Sequence, residues 1–230
     1  AGMGTASREP DPDSYDHAHG FCDVLVVGAG PAGLSAALNC AKAGLDVWLV
    51  EQDSDLGGDL LNSAGVDDEA LRADLVAQLE ATGAKIMKRT TVFGLYDCST
   101  AGLVERVTDH IADAPGYMPR QRFWTLRSKR TIVAAGALER TIAFGNNDRP
   151  GIMNVNAGRA YLNRYGVLAG QKIVVATNND SAYSSAAEFA NAGASVSLLD
   201  ARGSVGSDVT DIAGNANIDV QFGAAPLNAL

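Results

Sequence analysis

The stretch DVLVVGAGPAG, residues 23–33, decides the fold of this chain. Its apolar start predicts a buried strand, and Gly28, Gly30 and Gly33 follow in the Gly-x-Gly-x-x-Gly order that opens a helix. In such a turn Gly28 permits the tight bend, Gly30 lets the backbone approach a pyrophosphate, and Gly33 lets the helix pack closely on the strand. Free N–H groups and the positive end of the helix dipole then favour the phosphates.

The residues after this turn complete a strand–helix–strand unit. The Ala-rich segment 34–43, followed by Gly44, predicts a helix, and a second strand ends at Glu51. A carboxylate at that place can accept both hydroxyls of an adenosine ribose. A glycine-rich turn alone arises by chance, whereas both strands, the helix and the acid together favour dinucleotide binding.

Composition limits the classes of protein and partner. A length of 230 residues suits one large domain or two small ones, and 47% hydrophobic with 20% charged residues is typical of a soluble globular protein. The net charge of -9 argues against nucleic acid or an anionic membrane as a partner. No apolar run has transmembrane length and no export signal is evident, so we expect a cytoplasmic protein.

Cysteines and histidines give no sign of catalytic or metal chemistry. The cysteines are Cys22, Cys40 and Cys98, and none forms a C-x-x-C pair, which favours buried thiols in a reducing compartment. His17 and His19 fall in a flexible arm, and His110 has no nucleophile or carboxylate at a catalytic spacing. We therefore predict no catalytic residue and no metal site in this chain.

Three segments are predicted along the chain. Residues 1–20, rich in Asp, Pro, Gly and Ser, form a linker or extended arm, and residues 21–145 form the dinucleotide-binding domain. Residues 146–230 form a second, truncated Rossmann-like domain whose glycine loop is degenerate. The predicted fold class is thus α/β: a Rossmann-like FAD/NAD(P)-binding domain, built as a parallel sheet with a β-meander, followed by an incomplete nucleotide-binding-like domain.

Within the first domain a third parallel strand is predicted over 86–93, and strands over 103–108 and 123–127 form an antiparallel excursion. A last strand, 131–136, ends on small residues beside the glycine turn. Gly58, the second member of a glycine pair with Gly57, lies on the loop that follows Glu51.

In the second domain helices are predicted over 155–165 and 181–192 and strands over 172–176 and 195–199. The turn TNNDSA, residues 177–182, contains no glycine. Its side chains would obstruct a pyrophosphate and Asp180 would repel it. Asp200, at the end of the following strand, is therefore expected to be a surface acid.

Several longer strings narrow the interpretation. They are RTTVFG (89–94), LVERVTDH (103–110), ALER (137–140), NNDRPGIM (146–153), YLNRYG (161–166) and TNNDSAY (177–183). With the glycine turn, these resemble the two-dinucleotide-domain flavoprotein oxidoreductases and, more narrowly, the alpha subunits of heterotetrameric sarcosine oxidases. The resemblance covers nearly everything after Asp11.

That resemblance implies part of an enzyme that oxidatively demethylates sarcosine to glycine, with hydrogen peroxide and with formaldehyde or, given tetrahydrofolate, methylenetetrahydrofolate. It implies NAD in this chain, FAD and FMN on or at the interface with a beta subunit where the amine is oxidised, and further gamma and delta subunits. The family's N-terminal small domain and C-terminal folate-binding domain are not represented, so we expect this sequence to be a piece of a longer polypeptide.

The resemblance also implies the cofactor contacts. They fall around the phosphates, by the ribose, on the next loop, beside the adenine and at the last strand tip: Gly28, Gly30, Ala32, Gly33, Glu51, Gln52, Asp53, Gly58, Asp59, Val92 and Ala135. Ala135 stands where the wider superfamily often has Thr, so a backbone contact survives there and a hydroxyl contact does not.

Two alternatives remain open at this point. FAD could occupy the same site, as in a related amine or opine dehydrogenase subunit, because the motifs report only the ADP portion that both dinucleotides share. The second alternative is that the chain is a non-catalytic scaffold that assembles partner proteins. Arg120 and Arg122 could meet a flavin phosphate or an acidic partner, although exposed hairpin positions explain them as well.

Overall fold

The computed structural model describes Gly4 and residues 8–229, and these form two compact units. The first comprises Ala1–Gly58 and Leu71–Gly136, and the second comprises Asp59–Ala70 and Ala137–Leu230. Residues 1–3 and 5–7 of the predicted arm, and Leu230 of the predicted second domain, lie outside the described residues.

The first unit is built on a six-stranded sheet. In chain order its elements are β1 (Tyr15–Val27), α1 (Pro31–Lys42), β2 (Val47–Val50), the larger part of α2 (Val66–Glu80), β3 (Lys85–Met87), β4 (Thr90–Tyr96), β5 (Thr100–Arg106) and β6 (Gln121–Val133). A short 3-10 helix (Gly58–Asn62) and the first residues of α2 fall in the segment assigned to the second unit. The strand order is β3-β2-β1-β6-β5-β4. Strands β3, β2, β1 and β6 are parallel, and β6, β5 and β4 form an antiparallel meander. The predicted fold class is confirmed.

Apolar residues form a core on each face of this sheet. Val24, Val26 and Leu49 pack against residues of α1 and α2 on one face, among them Leu34 and Leu79. The other core lies under the meander and contains Cys22, Leu25, Trp48, Leu103 and Leu126. Strand β1 contributes to both cores because successive side chains of a strand point to opposite faces of the sheet. The N–H groups of Asp23 and Val24 both donate to the main-chain oxygen of Asp46, at 2.9 and 3.0 Å.

Strand β1 starts earlier than the sequence predicts. Residues 15–20, expected to belong to an arm, pair in parallel with the first half of β6. The ring of His17, expected in that arm, lies 5.4 Å from the ring of Phe123. The expectation of an arm is therefore wrong from Tyr15 onward, because this segment completes the hydrogen bonds of a long neighbouring strand.

Two further strand predictions need correction. The single strand predicted over 86–93 is two strands, β3 and β4, because Arg89 between them has a φ of 53° that ends the extended run. Conversely, the segments predicted over 123–127 and 131–136 are one continuous strand, β6, whose last residue is Val133.

The second unit contains a three-stranded parallel sheet. Its elements are α3 (Val155–Tyr165), β7 (Lys172–Thr177), α4 (Ser181–Asn191), β8 (Ser195–Asp200), α5 (Ser207–Asn215) and β9 (Asp219–Phe222), with strand order β7-β8-β9. Tyr183, Phe189 and Leu198 lie at the centre of its core. Helix α5 was not predicted. The carboxylate of Glu139 accepts hydrogen bonds from the N–H groups of Val155 and Asn156 at 3.1 and 3.0 Å, which fixes the preceding segment to the start of α3.

Asp200 is not a surface acid. It is fully buried and accepts hydrogen bonds from the Tyr183 hydroxyl at 2.8 Å and from Nε and Nη2 of Arg202 at 3.0 and 2.7 Å. Arg202 also donates to Asp180 at 2.7 Å. The Arg202 hydrogen bonds lower the pKa of Asp200 to about 2, and burial, with the bond to Asp200, raises the pKa of Tyr183 to about 12.

We predict that Arg202→Met destabilises the protein by about 3 kcal/mol, because it leaves the Asp200 carboxylate buried without its cation. Urea unfolding at pH 7 measures the change. The double variant Arg202→Met with Asp200→Leu removes both charges and should recover part of the loss. Equal stability of Arg202→Met and the wild type would contradict the structural role of the pair.

The same pair gives a pH dependence with a definite sign. The folded pKa of Asp200, about 2, lies below its unfolded value, so its charged form stabilises the fold fully above about pH 4. This contribution disappears as the pH falls through the folded pKa. Unfolding free energies measured between pH 5 and 2 should therefore fall more steeply for the wild type than for the double variant.

Candidate dinucleotide-binding site

Two glycines of the turn are required by packing against the protein itself. Gly28 has a φ of +96°, and a Cβ atom there would lie 2.5 Å from the main-chain oxygen of Ala134 and 3.2 Å from Cα of Ala135. A Cβ atom on Gly33 would overlap the main-chain oxygen of Gly28. These positions hold glycine because the end of β6, the turn and α1 approach one another closely.

Gly30 differs from the other two. A Cβ atom there would meet nothing within 4 Å, and its φ of -69° is open to any residue. Gly30 is the N-cap of α1, no side chain caps this helix end among the described residues, and Ala32 in the first turn is exposed. Bare backbone with open space in front of a helix N-terminus fits a pyrophosphate.

Glu51 holds the glycine turn from the end of β2. Its carboxylate is buried, at 8% exposure, and accepts hydrogen bonds from the N–H of Ala29 at 2.7 Å and of Asp53 at 2.9 Å. Since an ionised carboxylate offers about four acceptor positions, two remain for other donors. The predicted bond to a ribose is compatible with this arrangement and stays a prediction.

The loop after Glu51 folds against the glycine turn. The N–H of Gly57 donates to the oxygen of Ala29 at 2.8 Å. Gly58 has a φ of +56°, and a Cβ atom there would lie 2.8 Å from Cα of Gly30. Gly58 therefore permits close approach of two main chains. Asp59 belongs to the second unit, where its carboxylate lies 3.7 Å from the guanidinium of Arg159.

A cavity of about 380 Å³ lies beside this turn of the chain and is lined by Gln52, Asp53, Thr91 and Arg106. Gln52 and Asp53 were predicted from the sequence, whereas Thr91 and Arg106 were not. Val92, predicted to lie by the adenine, follows Thr91 on β4, is half-buried and pairs with Leu103. Ala135, two residues after the end of β6, is exposed. The residues around Arg106 in the sequence do not indicate that it lines this cavity, because its position depends on the pairing of β5 with β4 and β6.

Arg120 and Arg122 already have partners in this chain. Arg120 forms ion pairs with Asp13 and, at 2.8 Å, with Asp109. Arg122 lies 3.0 Å from Asp16 and 3.4 Å from Glu105. These acids neutralise both guanidinium groups, so the observed contacts give no support to a flavin phosphate at this place.

The other candidate chemistry is limited. Cys22 is buried, and burial raises its pKa to about 11, but Cys40 is only half-buried and Cys98 is exposed. The expectation of buried thiols is therefore wrong for Cys98.

Within residues 8–229 no cluster of three or more His, Cys, Asp or Glu residues is arranged to hold a metal ion. The described helices include none with the length and apolarity needed to cross a bilayer.

The corresponding turn of the second unit is built differently. At the start of α4 the side-chain oxygen of Asn179 accepts hydrogen bonds from the N–H and hydroxyl of Ser181 at 3.1 and 2.6 Å. Asp180, the N-cap, is bonded to Arg202. A side chain thus binds the N–H of the first residue of α4, and an ion pair occupies Asp180, whereas no side chain binds the start of α1 among the described residues.

Comparisons with known proteins agree with this architecture. Residues 23–131 match the family model described as FAD dependent oxidoreductase. The chain is 42% identical to the alpha subunit of sarcosine oxidase from Rhizobium meliloti (strain 1021), over 90% of this chain and 22% of that protein. It is 43% identical to the alpha subunit of sarcosine oxidase from Corynebacterium sp. (strain P-1), over 93% of this chain and 23% of that protein.

The chain is a homologue of sarcosine oxidase alpha subunits. It spans less than a quarter of their length. An opine oxidase subunit of Rhizobium meliloti (strain 1021) is 28% identical over 77% of this chain and 38% of that protein. Thioredoxin reductase of T. acidophilum shares the fold, with a TM-score of 0.69 at 16% identity, over 91% of this chain and 66% of that one. The predicted resemblance is confirmed, and the matches together support a role in a flavoprotein oxidoreductase.

We predict that Glu51→Ala lowers the free energy of unfolding of the ligand-free protein by about 1–3 kcal/mol, because the buried N–H of Ala29 loses its acceptor. Denaturant unfolding measures this effect. Glu80→Ala removes an exposed glutamate from the end of α2 and is the matched control, with an expected change near zero. Unchanged stability of Glu51→Ala would show that the carboxylate does not hold the turn.

Proposed function

We propose that this chain is the NAD-binding part of the alpha subunit of a sarcosine oxidase. The observation that carries the proposal is the identity of 42–43% to sarcosine oxidase alpha subunits over about nine tenths of the chain. The site itself adds support at Gly30. Packing within the protein does not require a glycine at this position, and the lack of a side chain leaves room for a pyrophosphate.

Each part of the site has a role in this proposal. The N–H groups at the start of α1 bind the pyrophosphate, and Gly28, Gly30, Ala32 and Gly33 keep that approach free of side chains. Glu51, with Gln52 and Asp53, binds the adenosine ribose. The remaining contacts in the proposal are Gly58, Asp59, Val92 and Ala135. When bound, a nicotinamide dinucleotide supplies hydride-transfer chemistry.

The substrate chemistry belongs, in this proposal, to the assembled enzyme. Sarcosine is oxidised at FAD on a beta subunit, FMN lies at or near the interface with it, and tetrahydrofolate accepts the one-carbon unit. This chain contributes the dinucleotide site and no general base or nucleophile. The complex also contains gamma and delta subunits, and a cytoplasmic location is part of the proposal.

FAD in the same site is the second candidate. The family model that matches residues 23–131 is described as FAD dependent oxidoreductase, and an opine oxidase subunit is one of the relatives. The purified complex, denatured to release its small molecules and examined by mass spectrometry, distinguishes the two. One NAD per copy of this chain supports the first proposal; two FAD per copy, one more than the beta subunit accounts for, with no NAD, contradict it.

We predict that Gly30→Val abolishes dinucleotide binding, with a dissociation constant raised at least a hundredfold, while the protein stays folded. Binding should be lost without a loss of stability, because a valine side chain at this position clashes with no protein atom but occupies the space proposed for the pyrophosphate. Isothermal titration with NAD measures affinity, and thermal unfolding without ligand checks the fold.

Gly33→Val provides the contrast, because its side chain overlaps the main chain of Gly28 and should lower stability sharply. Undiminished NAD affinity in folded Gly30→Val would contradict the site. Complex assembly and turnover that are also unaffected would favour the scaffold alternative, in which the chain only holds partners together.

A further inference from the structure

The cavity lined by Gln52, Asp53, Thr91 and Arg106 adjoins the proposed site at its ribose end. Glu51, the proposed ribose ligand, is followed directly by Gln52 and Asp53, which form one side of the cavity. Thr91 and Arg106 come from the first part of β4 and the last residue of β5. A base attached to a ribose held by Glu51 would therefore have this cavity next to it.

Arg106 connects the meander to the turn that follows β2. Its N–H donates to the oxygen of Arg89 at 2.9 Å, and its guanidinium donates to the main-chain oxygen of Gln52. This second bond fixes the direction of a long side chain that is exposed at the end of its strand. A planar cation is thereby held at the wall of the cavity.

The hydrogen-bond partner of Arg106 differs from those of the arginines that form ion pairs. Arg120, Arg122, Arg159 and Arg202 donate to carboxylates. Arg106 donates to a neutral carbonyl, which orients the guanidinium, while its positive charge helps to lower the pKa of Asp109. An oriented guanidinium plane is suited to lie on the face of an aromatic base, by stacking and by cation–π attraction.

We propose that Arg106 is a positioning residue for the adenine of the bound dinucleotide, with its guanidinium plane against the face of the base. This inference rests on the proposed dinucleotide site. It adds that the protein binds the adenine base as well as the phosphates and the ribose. The binding surface then has three parts: bare backbone for the phosphates, Glu51 for the ribose, and the Arg106 cavity for the base.

The test compares ADP with ribose 5-diphosphate, which lacks only the base. In the wild type ADP should bind more tightly. In Arg106→Leu the dissociation constant of ADP should rise about tenfold, while that of ribose 5-diphosphate changes less than twofold. Isothermal titration gives both constants. Arg130→Leu, at an exposed arginine of β6 that donates only to the adjacent Lys129 oxygen among its described contacts, is the matched control and should leave both unchanged.

Arg106→Gln guards against a purely structural effect, since its amide can still donate to the Gln52 oxygen but carries no charge. A selective loss of ADP affinity in this variant as well supports the inference. Equal losses for both ligands in Arg106→Leu would mean that Arg106 acts through the turn at Glu51, and would overturn it. Unchanged ADP affinity would also overturn it while leaving the dinucleotide site intact. A wild type that binds neither ligand would overturn the site and this inference together.

Discussion

The hydrogen bond from the N–H of Ala29 to the carboxylate of Glu51 holds together the parts on which the site depends. It joins the glycine turn after β1 to the end of β2, and the second oxygen of the same carboxylate fixes Asp53. In the buried setting of Ala29 an unpaired N–H would be costly, so the acid is needed even before a ligand arrives. A residue expected to serve a cofactor is thus also part of the protein's own framework.

The site therefore combines glycines of two kinds. Gly28 and Gly33 are fixed by contacts with Ala134 and with each other, and the chain could not close without them. Gly30 has no such neighbours, so the protein's own packing does not require a glycine there, and the missing side chain leaves space only for a ligand. The Gly-x-Gly-x-x-Gly pattern presents all three alike, and only the surrounding main chain separates the structural positions from the open one.

Short sequence patterns were sufficient to predict the elements whose residues lie close together along the chain. The last residues of β1, α1, β2 and Glu51 lie within one short stretch, so hydrophobic runs, glycines and the terminal acid specified them correctly. The strand–helix alternation of the second unit was read in the same way. Arg89 broke a predicted strand because a positive φ at a non-glycine residue has no strong sequence signal.

Features that depend on distant pairing were missed. Tyr15–Val27 is a full-length strand only because β6 lies beside it, and the polar composition of its first residues suggested an arm. Arg106 reaches its cavity through the meander, which no short window reveals. Asp200 was misread because its burial follows from packing of Tyr183 against β8, although its cation, Arg202, is only two residues away.

The ion pair of Asp200 and Arg202 limits what the second unit can bind at the start of α4. An acid at the end of this second strand, where Glu51 stands in the first unit, is committed to a guanidinium that also secures Asp180 at the helix start. A phosphate at this helix start would have to displace the Asn179 side chain from Ser181 and separate Arg202 from Asp180 and Asp200, which would leave the Asp200 carboxylate buried without its cation. The same place in the strand–helix–strand unit therefore holds an internal ion pair in one unit and an open helix start in the other.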